Sequence, residues 1–214
     1  MYRETKTGLY CRENTLDEYV IKEQSSYKKF FDLVEGKTVL DIGSNIGAFA
    51  YFALQNGAKE VICFEPDPDS IKVWKKQGLD AKLIPRAVAS STGTATFYVN
   101  KGKNKGMHSL QPIHGRDEII VKTANFDKVL SKYKPDCVKM DIEGGEYGLD
   151  LSNLPKFVSS IAIEIHLNYK DNRKLGQTLI KSLKSQFPHV LSNTKVTEKN
   201  WTTLFIGTRE EDYE

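Results

Sequence analysis

Residues 37–54 combine a short apolar run, a turn that contains two glycines, and a second run of helical composition. The first run, residues 39–42, is typical of a strand buried on both faces of a parallel sheet. The spacing Asp-x-Gly-x-Asn-x-Gly occupies residues 41–47, and residues 48–54 predict a helix. A glycine-containing turn before a helix brings bare backbone and unpaired N–H groups close to a ligand. We therefore interpret this segment as a strand–turn–helix unit that holds a cofactor.

Apolar runs that predict further strands alternate with helical segments along the rest of the chain. The expected strands are residues 61–64, residues 82–85 continuing to an end at 86–89, and residues 95–99, 119–123, 137–140 and 161–166. The helices between the first three strands indicate consecutive right-handed βαβ units. The predicted fold class is therefore α/β, with a Rossmann-like, doubly wound sheet. We expect this sheet to be mostly parallel, with an antiparallel C-terminal hairpin formed by residues 190–191 and 203–206.

The length and composition of the chain indicate one domain with a full-sized core. Of its 214 residues, 39% are hydrophobic and 28% are charged, so we expect a single domain over residues 1–214. Within it we expect a helical or irregular N-terminal extension at residues 1–36 and a variable lid loop at residues 100–115. The net charge of +3 is spread along the chain and does not by itself indicate a nucleic-acid partner.

Sequence features that direct proteins to membranes or to secretion are not recognisable. No apolar run approaches the ~20 residues of a membrane span, and residues 1–6 do not resemble the start of a signal peptide. The three cysteines are scattered and lack the Cys-x-x-Cys spacing of a metal site. We therefore expect a cytoplasmic protein with no membrane partner; the oligomeric state is left open.

Acidic side chains stand at the predicted carboxyl ends of the strands, where ligands bind in doubly wound sheets. Glu65 lies 22 residues after Gly43, where a carboxylate accepts hydrogen bonds from both ribose hydroxyls of NAD or S-adenosylmethionine. The first turn distinguishes these cofactors because it lacks the Gly-x-Gly-x-x-Gly pattern of dinucleotide sites. It also begins with Asp41, which repels a pyrophosphate but suits a methionyl α-ammonium. The pattern favours S-adenosylmethionine.

Three segments resemble the FkbM family of S-adenosylmethionine-dependent methyltransferases, namely residues 39–47, 64–68 and 138–146. The likeness covers about residues 10–170, and its most specific part is Lys-x-Asp-x-Glu-Gly-x-Glu at residues 139–146. It implies the seven-stranded class I methyltransferase sheet. It also implies methyl transfer, typically to a hydroxyl oxygen of a sugar, natural product or other small molecule. We assign cofactor binding to residues in or beside these motifs: Asp41, Gly43, Ser44, Asn45, Gly47, Glu65, Pro66, Asp67, Ala87 and Asp141.

Asp141, Glu143 and His166 are the candidate catalytic residues. Asp141 ends the fourth parallel strand, beside the expected position of the methyl group, and either Asp141 or His166 could be the general base. Glu143 could support Asp141 or bind the acceptor. Glu146 could equally well cap the following turn, which is a structural role.

The methyl acceptor is expected to contact the loop after the predicted strand 95–99 and the end of the fifth strand. We assign His108, Ser109 and Glu164 to acceptor binding. Asp141, Glu164 and His166 could alternatively surround Mg²⁺ or Mn²⁺, because oxygen ligands with one imidazole suit these ions. Since residues far apart in sequence need not converge in space, we predict no metal site.

Two other functions remain open at this point. Lys101, Lys103 and Lys105 could contact phosphates in a nucleic-acid methyltransferase. The fourth strand lacks the Asn/Asp-Pro-Pro-aromatic motif of base-amino methyltransferases, although ribose methylation would not need that motif. A protein that binds S-adenosylmethionine without turnover is the other alternative. The favoured partner is a small-molecule hydroxyl acceptor.

Overall fold

The computed structural model describes residues 1–112, 114–167, 172–193 and 201–210. In chain order its elements are β1 (Tyr2–Glu4), β2 (Tyr10–Arg12), α1 (Asp17–Glu23), α2 (Lys28–Phe31), β3 (Thr38–Ile42), α3 (Ala48–Gln55), β4 (Glu60–Phe64), α4 (Pro68–Lys76), β5 (Lys82–Ile84), β6 (Ala87–Ala89), β7 (Gly93–Val99), β8 (Asp117–Asn125), α5 (Phe126–Tyr133), β9 (Cys137–Met140), β10 (Ser160–His166), α6 (Asn172–Gln186), β11 (His189–Asn193) and β12 (Thr202–Thr208). Short 3₁₀ helices cover Gln24–Tyr27 and Gly145–Gly148.

Seven strands form the central sheet in the order β5-β4-β3-β9-β10-β12-β11. The strands from β5 to β10 run parallel, whereas β12 is antiparallel to both of its neighbours. Strand order reverses between β3 and β9, and ligands bind at such a reversal in doubly wound sheets. The predicted fold class is confirmed, including the antiparallel C-terminal hairpin.

The two faces of the sheet bury different sets of side chains because residues alternate along each strand. On one face Leu40, Val138 and Ile163 pack with α5 and α6 in the larger core cluster. On the other face Val39, Cys137 and Ala162 pack against the aromatic residues of α2 and α3. Asp41 and Lys139 belong to this second face and are neighbours in the β3–β9 register. A buried ion pair therefore stands where the alternation would place two apolar residues.

A second sheet, with the order β6-β8-β7, lies beside the first. The sequence indicated that residues 82–85 continue to residue 89 in one strand, and this is wrong. The chain leaves the central sheet after Ile84, and β6 pairs in parallel with residues 123–125 of β8. Pro85 explains the change, because proline has no N–H to continue the hydrogen-bond ladder.

The N-terminal segment contributes a wall to the carboxyl edge of the sheet. Its helical part is broken, since a 3₁₀ turn separates α1 from α2, and it is preceded by the antiparallel pair β1–β2. The Tyr27 and Phe31 rings pack against Phe49 of α3, with ring centroids 5.4 and 5.1 Å away. These contacts fix α1 and Tyr27 above the end of β10. No helix in the described part of the chain has the length and apolar character needed to cross a bilayer.

Candidate active site

Two adjoining pockets lie at the carboxyl edge of the central sheet. The inner pocket is lined by the ends of β3 and β4, by β6 and by the loop after β7, and it encloses about 590 Å³ with the solvent at its mouth. The outer pocket lies between α1, the end of β10 and the start of β12, and it encloses about 1000 Å³ by the same measure. Both pockets share one set of lining residues: Gly43, Asn45, Gly106, Asp141 and Glu143. A molecule in the inner pocket can therefore meet one in the outer pocket beside Asp141.

The glycines of the β3–α3 turn are required by the protein's own packing. Gly43 has φ +80°, and a Cβ built there would collide with the backbone carbonyl of Asp141. Gly47 has φ +86°, and a Cβ there would lie 2.8 Å from the Trp74 ring. Gly43 lines both pockets, whereas Gly47 lines neither. The expectation that both glycines admit a ligand to the backbone is thus corrected for Gly47, which instead allows α3 to approach α4.

Asp41 is fully buried and does not line either pocket. Its Oδ1 lies 3.1 Å from Lys139 Nζ, which also donates to the Gly43 carbonyl at 2.8 Å. Burial acts to lower the pKa of Lys139, but the charges of Asp41 and Asp141 outweigh it and the net pKa is raised. The expected direct contact of Asp41 with a methionyl ammonium is replaced by a structural role, in which the ion pair fixes the turn at Gly43.

Glu65 has the geometry expected of a ribose ligand. Its Oε2 accepts a hydrogen bond from the Asn45 N–H at 2.8 Å, and its Oε1 accepts one from the Asp67 N–H at 2.7 Å. Burial raises the pKa of Glu65 to about 7. Pro66 and Ala87 line the same inner pocket. Each carboxylate oxygen keeps a further lone pair for a ligand hydroxyl.

Asp67 lies behind the pocket wall. Its carboxylate accepts a hydrogen bond from the Ser70 N–H at 2.8 Å and so caps α4. The same carboxylate lies 3.9 Å from Arg12 Nη1 and 3.7 Å from His108 Nε2. Asp67 was assigned to cofactor binding, but its side chain does not line either pocket.

The loop after β7 carries His108 into the inner pocket. His108 Nδ1 accepts a hydrogen bond from the Asn100 N–H at 2.9 Å, so the proton of the neutral ring is on Nε2. Burial lowers the pKa of His108 to about 4, which keeps the ring neutral. Among the described residues Nε2 has no hydrogen-bond partner, although the side chain is only 6% exposed. His108 therefore presents a donor to the inner pocket, and not to the outer pocket where an acceptor was expected.

Ser109 does not line either pocket. It is fully buried, and its hydroxyl donates to the Glu143 carbonyl at 2.6 Å. The hydroxyl also accepts from the Gln111 N–H at 2.9 Å. The acceptor-binding assignment of Ser109 is thus corrected to a structural one, because the residue ties the loop after β7 to the loop after β9.

The loop after β9 and the end of β10 bring together the three candidate catalytic residues. His166 Nε2 lies 3.8 Å from Asp141 Oδ1 and 3.5 Å from Glu143 Oε2. On its other side His166 Nδ1 lies 3.2 Å from Glu146 Oε1, and Glu146 is 1% exposed. Burial alone lowers the pKa of His166, but the carboxylates, Glu146 first, raise the net pKa to about 10. The surrounding acidic groups thus favour the protonated ring, and which of Asp141 and His166 is the general base stays a prediction.

Carboxylates dominate the outer pocket. Burial raises the pKa of Glu143 to about 8. The charge of Asp141, followed by burial, raises the pKa of Glu164 to about 7. Glu164 accepts a hydrogen bond from the Tyr27 hydroxyl at 2.9 Å, and Glu23 lines the pocket beside it. The structure thus places Glu164 in the outer pocket, as its acceptor-binding assignment requires.

Several lining residues were not identified from the sequence. The sequence does point to Lys139, because it lies between Val138 and Met140 in a strand predicted to be buried, and a buried lysine requires a carboxylate partner. Tyr19, Glu23 and Tyr27 carried none, because helical spacing alone does not show which face covers a ligand. The orienting role of Glu146 depends on its contact with a residue 20 positions away.

Comparison with solved structures shows the fold. The structure of methyltransferase FkbM from Methylobacillus flagellatus KT matches 79% of this chain at 17% identity with a TM-score of 0.51, and the match spans 43% of that protein. A putative SAM-dependent methyltransferase from Streptococcus mutans matches 86% of the chain at 14% identity with a TM-score of 0.49, over 48% of its own length. The chain thus spans less than half the length of either protein. No protein with a curated description matches it.

The family model of the methyltransferase FkbM domain matches residues 41–195 of the chain. The chain belongs to the FkbM methyltransferase family. S-adenosylmethionine is therefore its cofactor. The matched residues include the β3–α3 turn, Glu65 and the loop from Asp141 to Glu146.

The pockets of this FkbM-family protein fit S-adenosylmethionine in their donor and acceptor groups. Four buried polar atoms of residues that line them have no hydrogen-bond partner among the described residues, namely Gln24 Oε1, Ser44 Oγ, His108 Nε2 and Asp141 Oδ1. Buried polar atoms without partners are rare in folded proteins and usually await a ligand or water. With Glu65, they provide an acceptor for ribose and groups that can bind the purine and methionyl parts. Asn45 and Gly43 lie where the two pockets join.

Proposed function

We propose that this protein methylates a hydroxyl oxygen of a neutral, hydroxyl-rich small molecule such as a sugar. The observation that carries the proposal is the lining of the outer pocket, where Glu23, Asp141, Glu143 and Glu164 provide hydrogen-bond acceptors. The mouth adds two aromatic side chains, Tyr19 and Trp201, which are 58% and 71% exposed. Exposed aromatic faces beside carboxylates suit a ligand that is apolar on its ring faces and carries hydroxyls at its edge.

The charges of the outer pocket favour this acceptor over nucleic acid. Lys139 and His166 are its cationic lining residues, and each is already engaged with carboxylates. Among the described residues that line the pocket, neither cation is therefore free to pair with a phosphate, and the acidic side chains offer a phosphate backbone no favourable partner. Two of the three loop lysines are also engaged, because Lys101 pairs with Asp117 and Lys105 Nζ donates to the carbonyls of residues 100 and 101. These observations support a neutral acceptor.

Alignment and orientation are the contributions that we assign to the protein. When bound, S-adenosylmethionine supplies a methyl group that its positive sulfonium has already activated. Glu65 and His108 would hold the nucleoside in the inner pocket, and Asp141 at the junction would orient the acceptor hydroxyl toward the methyl carbon. Fixing two reactants in this way can supply much of the acceleration, roughly 7–11 kcal/mol in well-oriented systems. The surrounding loop from residue 104 to 108 limits the access of water to the junction.

The experiment that tests the proposal uses S-adenosylmethionine labelled in its methyl group. The purified chain is incubated with fractionated cell extract, and each fraction is assayed for label. We expect label in the carbohydrate or small-molecule fraction, and for Asp141→Asn a larger loss of methyl transfer than of cofactor affinity. Label in RNA, DNA or protein would overturn the proposed acceptor. Cofactor binding by calorimetry without label in any fraction would instead support the non-catalytic alternative.

A further inference from the structure

Three side chains at the junction of the two pockets point their ligand atoms at one another. In Asp141, Glu143 and His166, one carboxylate oxygen or ring nitrogen from each residue lies within 4.8 Å of the other two. His166 Nε2 lies 3.5 Å from Glu143 Oε2 and 3.8 Å from Asp141 Oδ1. A four-coordinate ion with bonds of roughly 2.0–2.2 Å holds its ligand atoms roughly 3.3–3.6 Å apart. The cluster is therefore slightly wider than a coordination shell and too wide for strong hydrogen bonds.

Glu146 fixes which nitrogen of His166 faces this cluster. Its Oε1 accepts the His166 backbone N–H at 2.7 Å and lies 3.2 Å from His166 Nδ1. Its Oε2 accepts the Gly144 N–H at 2.9 Å. A fully buried carboxylate can only accept, so Nδ1 donates to it and Nε2 is directed into the cluster. Histidine ligands of metal ions usually have this arrangement, with the far nitrogen bound to a carboxylate.

A second observation is independent of the histidine. Asp141 Oδ1 is shielded from solvent and has no hydrogen-bond partner among the described residues. His166, whose side chain is 3% exposed, makes no hydrogen bond through Nε2 with any described residue. Three acidic side chains, Asp141, Glu143 and Glu146, surround this one imidazole, so the site offers more oxygen ligand atoms than protein cations to pair with them. A cation between Asp141, Glu143 and His166 would provide a partner for both atoms.

We propose that Asp141, Glu143 and His166 bind a divalent cation of the Mn²⁺ class, with Glu146 as the positioning residue for His166. Two carboxylate oxygens favour Mg²⁺, Ca²⁺ or Mn²⁺, and the imidazole favours ions further along the first transition series, so Mn²⁺ satisfies both preferences. Binding replaces the Nε2 proton with the ion. The ligand set differs from Asp141, Glu164 and His166, the alternative suggested by the sequence, because Glu164 is not part of the cluster.

The role of the ion rests on the proposed function. Asp141 and Glu143 line both pockets and His166 lines the outer one, so an ion held by them would be within reach of an acceptor hydroxyl in the outer pocket. A divalent ion lowers the pKa of a bound oxygen acid, as Zn²⁺ lowers that of water from 15.7 to about 7. The bound hydroxyl loses its proton to water and its oxygen forms the bond to the methyl carbon. The carbon–sulfur bond breaks, and sulfur keeps the electron pair as a neutral thioether.

The test measures Mn²⁺ binding directly. The full chain is stripped with a chelator and titrated with Mn²⁺, and free Mn²⁺ is followed by electron paramagnetic resonance. Asp141→Asn and His166→Gln should abolish binding, and Glu146→Gln should weaken it by ~10–100-fold. Glu60→Gln is the control, because it removes an exposed carboxylate at the start of β4, far from the cluster, and should leave Mn²⁺ affinity within about twofold of the wild type. Separate titrations with Zn²⁺ and Mg²⁺ establish which ion binds best.

Cofactor binding by calorimetry and methyl transfer are measured on the same samples, which separates this inference from the proposed function. Absence of binding for all three ions in a chain that still binds S-adenosylmethionine would overturn the metal site. Unchanged Mn²⁺ affinity in both Asp141→Asn and His166→Gln would overturn its location. Methyl transfer that continues at full rate in the chelated chain would overturn the role of the ion and leave the proposed function standing.

Discussion

The inner and outer pockets share five lining residues but are built in different ways. The inner pocket is formed by consecutive strand ends, and Glu65 within it is held by two backbone N–H groups of nearby turns. The outer pocket gathers carboxylates from α1, the loop after β9 and β10, and its groups are paired by long-range side-chain contacts. Local turns thus determine the pocket to which we assign the cofactor, and tertiary packing determines the pocket to which we assign the acceptor.

The largest expected effect comes from breaking the buried Asp41–Lys139 ion pair, which fixes the turn at Gly43 beside both pockets. Asp41→Ala would leave the Lys139 ammonium buried without its carboxylate. Removing one partner of a buried ion pair typically costs about 3–5 kcal/mol, so we expect the free energy of unfolding to fall by that amount in urea titrations. The double variant Asp41→Leu/Lys139→Met should lose less, because no buried charge remains. A decrease of less than about 1 kcal/mol in the free energy of unfolding of Asp41→Ala would show that the ion pair does not stabilise this turn.

A change confined to the inner pocket should lower cofactor affinity and leave the metal site unaffected. Glu65→Gln removes the charged acceptor for ribose, and hydrogen bonds to charged groups contribute about 1.5–3 kcal/mol, so S-adenosylmethionine should bind ~10–150-fold more weakly in calorimetry. Mn²⁺ affinity should not change. Glu60→Gln is the control, since Glu60 is an exposed carboxylate at the other end of β4, the strand that precedes Glu65. Equal cofactor affinity in both variants would place the ribose elsewhere.

The same residue gives the inner pocket a pH dependence. Because burial raises the pKa of Glu65 from 4.5 to about 7, the carboxylate is protonated below about pH 7 in the free protein. Cofactor affinity should fall as the pH is lowered from 8 to 6, by at most ~10-fold per pH unit, and Glu65→Gln should lose this component. The folded state holds the Glu65 proton more tightly than the unfolded state does. Glu65 therefore adds to the free energy of unfolding at pH values below its pKa in the unfolded chain. That stability is lost as the pH rises through about 7.

The smallest effect is expected for the loop that covers the inner pocket. His108→Ala removes one neutral donor, worth about 0.5–1.5 kcal/mol, so the dissociation constant for S-adenosylmethionine should rise ~2–10-fold. His114→Ala, an exposed histidine further along the same connection, is the matched control. If His108→Ala instead impairs methyl transfer while cofactor affinity stays unchanged, His108 belongs to the acceptor half as the sequence suggested.

The sequence predicted the parts of the molecule that depend on local chemistry. Apolar runs and turn residues predicted the β3–α3–β4 unit, the position of Glu65 and the succession of parallel strands along the chain. The departure at Pro85 was missed because a proline at a strand end is compatible with either termination or continuation. The orientation of Asp41 was also missed, since strand alternation places it beside Lys139 only once the β3–β9 register is known. Glu146 and the walls of the outer pocket depend on contacts between distant residues, which one sequence does not contain.

The position of the outer wall has a consequence for how this protein can diverge from its relatives. Tyr19, Glu23 and Tyr27 come from the N-terminal helices, and Trp201 comes from the segment before β12. All four lie outside residues 41–195, the region that the family shares. If the outer pocket binds the acceptor as we propose, mutations in these two segments alter acceptor choice while the methyl-donor site stays the same. Exchange of these terminal segments between family members is a direct route to enzymes with new acceptors.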